Sequence, residues 1–132
     1  MDQSTINDLL IALRPAIPQA VVSSATNEAE AFQNNTLRPV LKFLNHTILS
    51  TVQAGILRVN KQFTTLSPTK QVAQIKMYLN KNQQVKAILQ GHVVGLLTSD
   101  ELKYYHTEFS NTNKRIQQML ETRVLDQMEF FH

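Results

Sequence analysis

The residues best suited to binding chemistry lie along one face of a helix that the sequence predicts to begin at Thr36. Arg38, Lys42 and Asn45 follow one another at i, i+4 and i+7, which places them in one stripe, and Gln33 lies just upstream. Cationic side chains beside the free amides of a helix start are suited to an anion. We therefore predict Gln33, Arg38, Lys42 and Asn45 as ligand-binding residues. The alternative is a solvated face, or one that pairs with acidic side chains.

The charges of the chain are distributed unevenly. No acidic residue occurs between Glu30 and Asp100, an interval that carries eight lysines and arginines, whereas the segments on either side are net acidic. Two interpretations stay open. The acidic terminal helices neutralise the basic middle, or segment 31–99 binds nucleic acid or an anionic ligand. The basic residues are spread along the chain rather than clustered, which is a weak signal for nucleic acid.

The sequence offers little for catalysis or metal binding. His46, His92 and His106 have no acidic or histidine partner at the i+3 or i+4 spacing that helical metal sites use, and we expect His132 to be frayed. There is no cysteine, no nucleophile elbow and no phosphate-binding glycine loop. We expect no metal, no cofactor and no catalysis, although two carboxylates from distant segments are left open as an acid–base pair.

The elements that must position these residues are predicted to be helices. Apolar residues recur at helical spacing, and three glycines and four prolines are few for 132 residues. This pattern predicts an all-α fold, an antiparallel bundle of five or six helices in one domain over residues 1–132. A weaker pattern predicts a helix within Gln19–Gln33. The predicted caps are Asp2 or Ser4, Thr36, Ser67, Asn82 and Thr98.

The C-terminal helix is predicted to be long. The polar residues 110–113 favour a break, but the apolar phase continues from Phe109 to Ile116, so we predict one helix from Thr98 to about Phe131. Such a helix is about 50 Å long, which exceeds the width of a compact domain of this size. We therefore expect its end to pack against a second copy of the chain. The expected dimer contacts are Met128, Phe130 and Phe131.

Gly91 and Gly95 lie four residues apart in another predicted helix. Glycine is unfavourable inside a helix by about 1 kcal/mol relative to alanine. We therefore expect a second helix backbone to approach closely there, either within the bundle or at a dimer face.

The composition is that of an ordinary globular chain, with 42% hydrophobic and 17% charged residues. No apolar run is long enough for a membrane span. Asp2 and Asp8 occupy positions where a signal peptide would carry basic residues. We therefore expect a cytoplasmic protein with no membrane partner.

Residues 32–45, FQNNTLRPVLKFLN, resemble a segment of short all-helical bacterial proteins. The resemblance implies an all-α fold and a bacterial cytoplasmic protein, and it directs attention to Gln33, Arg38, Lys42 and Asn45. Some of these proteins are labelled glyoxalases. The glyoxalase family is built from βαβββ modules with His and Glu ligands on strands, and this sequence has neither, so we do not adopt that activity.

The most direct functional prediction is a small interaction or scaffold protein that self-associates and does not catalyse a reaction. The alternative is a binder of nucleic acid or of an anionic ligand through the acid-free segment 31–99.

Overall fold

A computed structural model describes residues 1–17 and 27–132, and within these ranges the regular structure is helical, with no β-strand. The predicted all-α class is confirmed. Most of the helix predicted within Gln19–Gln33 lies outside the described residues. The helices are α1 (Gln3–Ala12), α2 (Glu28–Phe32), α3 (Arg38–Phe43), α4 (Asn45–Val59), α5 (Pro68–Lys81), α6 (Gln83–Val94), α7 (Ser99–Thr107) and α8 (Phe109–Leu125). Short 3₁₀ helices cover Phe63–Thr65 and Met128–Phe131.

Local capping rules place most of the helix starts. At each of four predicted caps, a side-chain oxygen accepts a hydrogen bond from the backbone N–H three residues later. Thr98 and Glu101 form the predicted capping box, because the Glu101 carboxylate also accepts from the Thr98 N–H at 2.8 Å. The four confirmed caps are Asp2, Ser67, Asn82 and Thr98.

The predicted helix start at Thr36 is wrong. The helix begins instead with Asn27 as its cap and runs through α2 and a π-helical turn, Gln33–Leu37, into α3. In that turn the Arg38 N–H donates to the carbonyl of Gln33, five residues back. The wider turn accommodates Pro39, which has no N–H and whose ring would clash with a carbonyl four residues back in a regular α-helix.

The predicted continuity of the C-terminal helix is also wrong. The backbone turns at Glu108 (φ −108°, ψ 40°), which separates α7 from α8. The turn lets both helices pack against the same core, since Tyr105 of α7 and Ile116 of α8 are each buried. Phe109, a predicted core residue, is 53% exposed. The two shorter helices leave no long helix end to project from the domain, so this reason for expecting a dimer no longer applies.

A similar turn occurs at Leu44 (φ −82°, ψ 1°), between α3 and α4. The sequence predicts one uninterrupted helix from Thr36 to about Asn60. The core still includes the predicted apolar face up to Ile56, but Val59 at the end of that face is exposed. The change of direction alters which polar residues of α3 and α4 face each other.

The core lies mainly among α3, α4, α5, α6 and α8, and α7 adds Tyr105 to it. It includes the chain's C-terminal residues, because Phe131 is buried and its ring packs edge-on against Phe63 with centroids 6.3 Å apart. Met128 and Phe130 are partly buried against the same core. The three expected dimer contacts thus pack within the chain itself.

Helix α1 contributes no buried residue to this core. The sequence predicts Ile6, Leu9, Leu10 and Leu13 as its apolar face, and of these Leu9 and Leu13 are exposed. Polar contacts attach it instead, with Asn7 donating to the Ser99 hydroxyl at 3.2 Å. Arg14, which follows the helix, forms a two-bond ion pair with Glu101.

The close approach between helices occurs at Gly55 and not at Gly91 or Gly95, the two glycines for which it was predicted. Among the described residues, nothing lies within 4 Å of the position that a Cβ on Gly91 would occupy. A Cβ on Gly55 of α4 would instead overlap the Tyr78 ring of α5, at 2.8 Å from its Cζ. The prediction that a second helix packs closely against Gly91 within the bundle is therefore wrong.

Candidate functional site

A groove of about 550 Å³ lies between α8 and the segment formed by the π-helical turn and α3. Its apolar floor includes Leu41 and Met119, and the other lining side chains are polar. The polar lining consists of Gln33, Arg38, Arg115, Gln118, Thr122, Arg123, Asp126 and Gln127. We call this feature the arginine groove.

Three guanidinium groups converge on the arginine groove without a carboxylate partner. Within residues 1–17 and 27–132, no carboxylate oxygen lies within 4 Å of the guanidinium nitrogens of Arg38, Arg115 or Arg123. Residues 18–26 contain no Asp or Glu. Asp126 is the one acidic residue of the described lining. The groove therefore carries an excess of positive charge.

Arg115 and Arg123 are held by neutral amides rather than by acids. Arg115 Nη1 donates to Gln33 Oε1 at 2.7 Å, which connects α8 to the π-helical turn. Arg123 Nη1 donates to Asn45 Oδ1 at 3.2 Å. An amide fixes the position of a guanidinium without neutralising it, so the charge stays available to a ligand.

The Asn45 amide is in turn fixed by Gln127. Their side chains exchange two hydrogen bonds of 2.8 Å each, and Gln127 also donates to the backbone carbonyl of Arg123 at 3.0 Å. Burial lowers the pKa of Arg123, and the positive charge of Arg38 lowers it further. Because an arginine stays protonated in proteins, this proximity is a repulsion that a bound anion would relieve.

The structure brings together three of the four predicted site residues. Gln33 and Arg38 line the arginine groove, and Asn45 contacts two of its lining residues. Lys42 lies outside it, is exposed, and places its Nζ 3.5 Å from the backbone carbonyl of Ala16. Arg38 and Lys42 both lie in α3, but Lys42 is one helical turn further along and its side chain reaches the Ala16 carbonyl instead of the groove.

Sequence analysis missed Arg115 and Arg123. A signal was present, because Arg115, Met119 and Arg123 recur every four residues and so share one face of a helix. These arginines belong to the net acidic C-terminal segment, whereas the predicted anion site lies in the basic middle segment. Among the described residues, no base of segment 31–99 forms an ion pair, so salt bridges to the terminal helices do not neutralise that segment.

None of the protein-family models, curated proteins or solved structures compared with this chain matches it. The fold and the groove define an all-α protein with an arginine-lined cleft. No helix of the described residues is both long and apolar enough to cross a membrane. Within residues 1–17 and 27–132, no three His, Asp or Glu side chains are grouped so that they could hold a metal ion.

Proposed function

We propose that the protein binds a phosphate-bearing ligand in the arginine groove. The observation that supports this function is the convergence of Arg38, Arg115 and Arg123 without a carboxylate partner among the described residues. Guanidinium groups bind phosphate oxygens through paired, charge-assisted hydrogen bonds. A bound anion would also relieve the repulsion between Arg38 and Arg123. The proposal includes no catalytic step.

The π-helical turn adds support for this location. Such turns are rare within α-helices and are frequent at functional sites. Here the turn carries Gln33, which positions the Arg115 guanidinium, and it ends beside Arg38. The ligand would contact residues from both walls of the groove, so binding should also stabilise the folded chain.

Calorimetric titration with pyrophosphate tests the proposal. The Arg38 side chain makes no hydrogen bond within the described residues, so Arg38→Ala removes a ligand contact and leaves the backbone bond to Gln33 in place. We expect Arg38→Ala to weaken pyrophosphate binding at least about tenfold. Lys42→Ala is the matched control, because it removes the same charge from the same helix but outside the groove, and it should change the affinity less than about twofold.

A variant that is expected to strengthen binding provides a second test. Asp126→Asn removes the groove's acidic side chain and should tighten pyrophosphate binding by about two- to fivefold. The affinity of the unaltered protein should fall as salt is added, because these charges are partly exposed. Equal losses for Arg38→Ala and Lys42→Ala would show general charge attraction and would contradict a site in the groove.

Self-association is a second candidate function, favoured by the apolar side chains that α1 leaves half-exposed, including Leu9, Ile11 and Leu13. Leu9 and Leu13 lie four residues apart and so share one face, and exposed apolar side chains of this kind are suited to a second protein surface. We expect light scattering to give a dimer, and Leu9→Ser combined with Leu13→Ser to give a monomer. If the unaltered protein is monomeric at high concentration, self-association is excluded as a candidate function.

We also propose, as the resemblance implies, that the protein is bacterial and cytoplasmic.

A further inference from the structure

A second polar cleft lies on the other side of α8 from the arginine groove. It has a volume of about 520 Å³ and is bordered by two lysines, Lys86 of α6 and Lys114 of α8. Side-chain amides form much of the rest of its lining, including Gln90 and Asn113. Gln118 lines both this amide cleft and the arginine groove, so the two are neighbours on the surface.

Three side chains form a closed hydrogen-bonded ring at the amide cleft. Gln90 Nε2 donates to the hydroxyl of the buried Tyr105 at 3.0 Å, and that hydroxyl donates to Asn113 Oδ1 at 2.8 Å. Gln90 Nε2 also donates to Asn113 Oδ1. The ring fixes one end of each amide and leaves the other end, Gln90 Oε1 and Asn113 Nδ2, without a hydrogen-bond partner among the described residues.

The two free ends are an acceptor on Gln90 and a donor on Asn113, two half-buried residues that line the same cleft. A nucleobase presents a donor and an acceptor on one rigid edge, which is the combination that an Asn or Gln amide pairs with when it binds adenine. A peptide unit is less well matched, because its N–H and C=O point to opposite sides of a trans bond.

We propose that the amide cleft binds the base of a nucleoside phosphate whose phosphate groups lie in the arginine groove. This inference rests on the proposed function. The base would accept a hydrogen bond from Asn113 Nδ2 and donate one to Gln90 Oε1, and the ribose would pass Gln118. Lys86 and Lys114 favour the same polyanionic ligand. The nucleoside phosphate is either a free nucleotide or a unit of a nucleic-acid strand.

Calorimetric titration of the full chain with adenosine diphosphate and with pyrophosphate separates the two sites. We expect adenosine diphosphate to bind at least about tenfold more tightly, because two further hydrogen bonds form in the amide cleft. Pyrophosphate binding without any gain from the nucleoside would overturn this inference and leave the arginine groove as the anion site. Failure of both ligands to bind would overturn the proposed function as well.

Asn113→Asp tests the named contact. The new carboxylate still accepts from Tyr105 and Gln90, so the internal ring is kept while the free donor is lost. Gln83→Glu is the charge-matched control, because Gln83 lines the same cleft and has no part in that ring. We expect Asn113→Asp to weaken adenosine diphosphate binding about five- to tenfold relative to Gln83→Glu, with equal pyrophosphate affinities. Equal adenosine diphosphate affinities of the two variants would contradict the assignment.

A short single-stranded oligonucleotide distinguishes the two sources of the ligand. If the natural ligand is a strand, the oligonucleotide should displace pyrophosphate, bind more tightly than adenosine diphosphate, and be weakened by Asn113→Asp. If it is a free nucleotide, the oligonucleotide should bind no more tightly than adenosine diphosphate. Tight oligonucleotide binding that neither Asn113→Asp nor Arg38→Ala weakens would contradict the nucleoside-phosphate site.

Discussion

Arg14 donates two hydrogen bonds to Glu101, from Nη1 to Oε2 at 2.7 Å and from Nη2 to Oε1 at 2.6 Å. Both side chains are largely buried, with exposed fractions of 9% and 16%. Glu101 also accepts from the Thr98 N–H and from the Thr36 hydroxyl at 3.2 Å. One carboxylate therefore joins the segment after α1, the start of α7 and the π-helical turn that forms a wall of the arginine groove.

The first prediction concerns the pH dependence of stability. Burial raises the pKa of Glu101, but the hydrogen bonds from Arg14 and from the Thr98 N–H, with the charge of Arg14, outweigh burial and hold the pKa below its ordinary value of 4.5. A carboxyl group whose pKa is lower in the folded state stabilises the fold above the unfolded pKa. That contribution is lost as the pH falls through the folded pKa. Stability should therefore decrease below about pH 4.5.

Glu101→Gln tests this prediction. It should lower the free energy of unfolding by about 1–3 kcal/mol at neutral pH and flatten the decrease in acid, as measured by urea denaturation over a pH series. Asp100→Asn is the control, because the Asp100 side chain is 96% exposed and its contact with Lys103 is a surface pair. An unchanged acid profile in Glu101→Gln would show that other carboxyl groups govern the pH dependence.

The second prediction compares two glycines in helices. Gly55→Ala should lower the free energy of unfolding by about 1–3 kcal/mol, because its Cβ would force the packed Tyr78 ring to move. Gly91→Ala should raise it by about 0.5–1 kcal/mol, since open space surrounds that position and alanine favours the helix. Thermal unfolding of the two variants shows whether each substitution lowers or raises the free energy of unfolding. Stabilisation by Gly55→Ala would show that α4 and α5 are not in close contact there.

The third prediction concerns the end of the chain. Phe131→Ala should lower the free energy of unfolding by about 3–5 kcal/mol, because it empties a site in the core beside Phe63. Phe109→Ala should cost about 1 kcal/mol or less, since that ring is half-exposed and contacts Tyr105 along one edge. Chemical denaturation at two protein concentrations checks this. If the loss of stability in Phe131→Ala depends on protein concentration, Phe131 lies at a dimer interface instead.

The features that sequence analysis predicted correctly depend on neighbours within a few residues. The caps at Ser67, Asn82 and Thr98 follow from a side chain that satisfies an N–H three residues away. The same local reasoning failed at Thr36, because Pro39 is compatible either with a helix start or with a π-helical turn. Contacts elsewhere decide between the two, including the one from the Thr36 hydroxyl to Glu101.

The candidate site likewise has a part that the sequence predicted and a part that it did not. Gln33 lies just upstream of Arg38 in the sequence, and this proximity suggested that the two belong to one site. The pairing of Gln33 with Arg115, 82 residues away, depends on how α8 packs beside the π-helical turn. No local spacing rule predicts that pairing. The donor and acceptor left free by the ring at Gln90, Tyr105 and Asn113 likewise exist only because α6, α7 and α8 meet.

The amino-acid sequence alone determined the helical class, four of the eight α-helix starts and the apolar faces around residues such as Ile48 and Leu89. These features depend on backbone geometry and on side chains three or four positions apart. Tertiary structure decided where helices turn, which glycine contacts a neighbour and which arginines share a groove. Burial of apolar surface brings distant segments together, and that force is non-directional, so the particular polar groups that meet are fixed only by the complete packing.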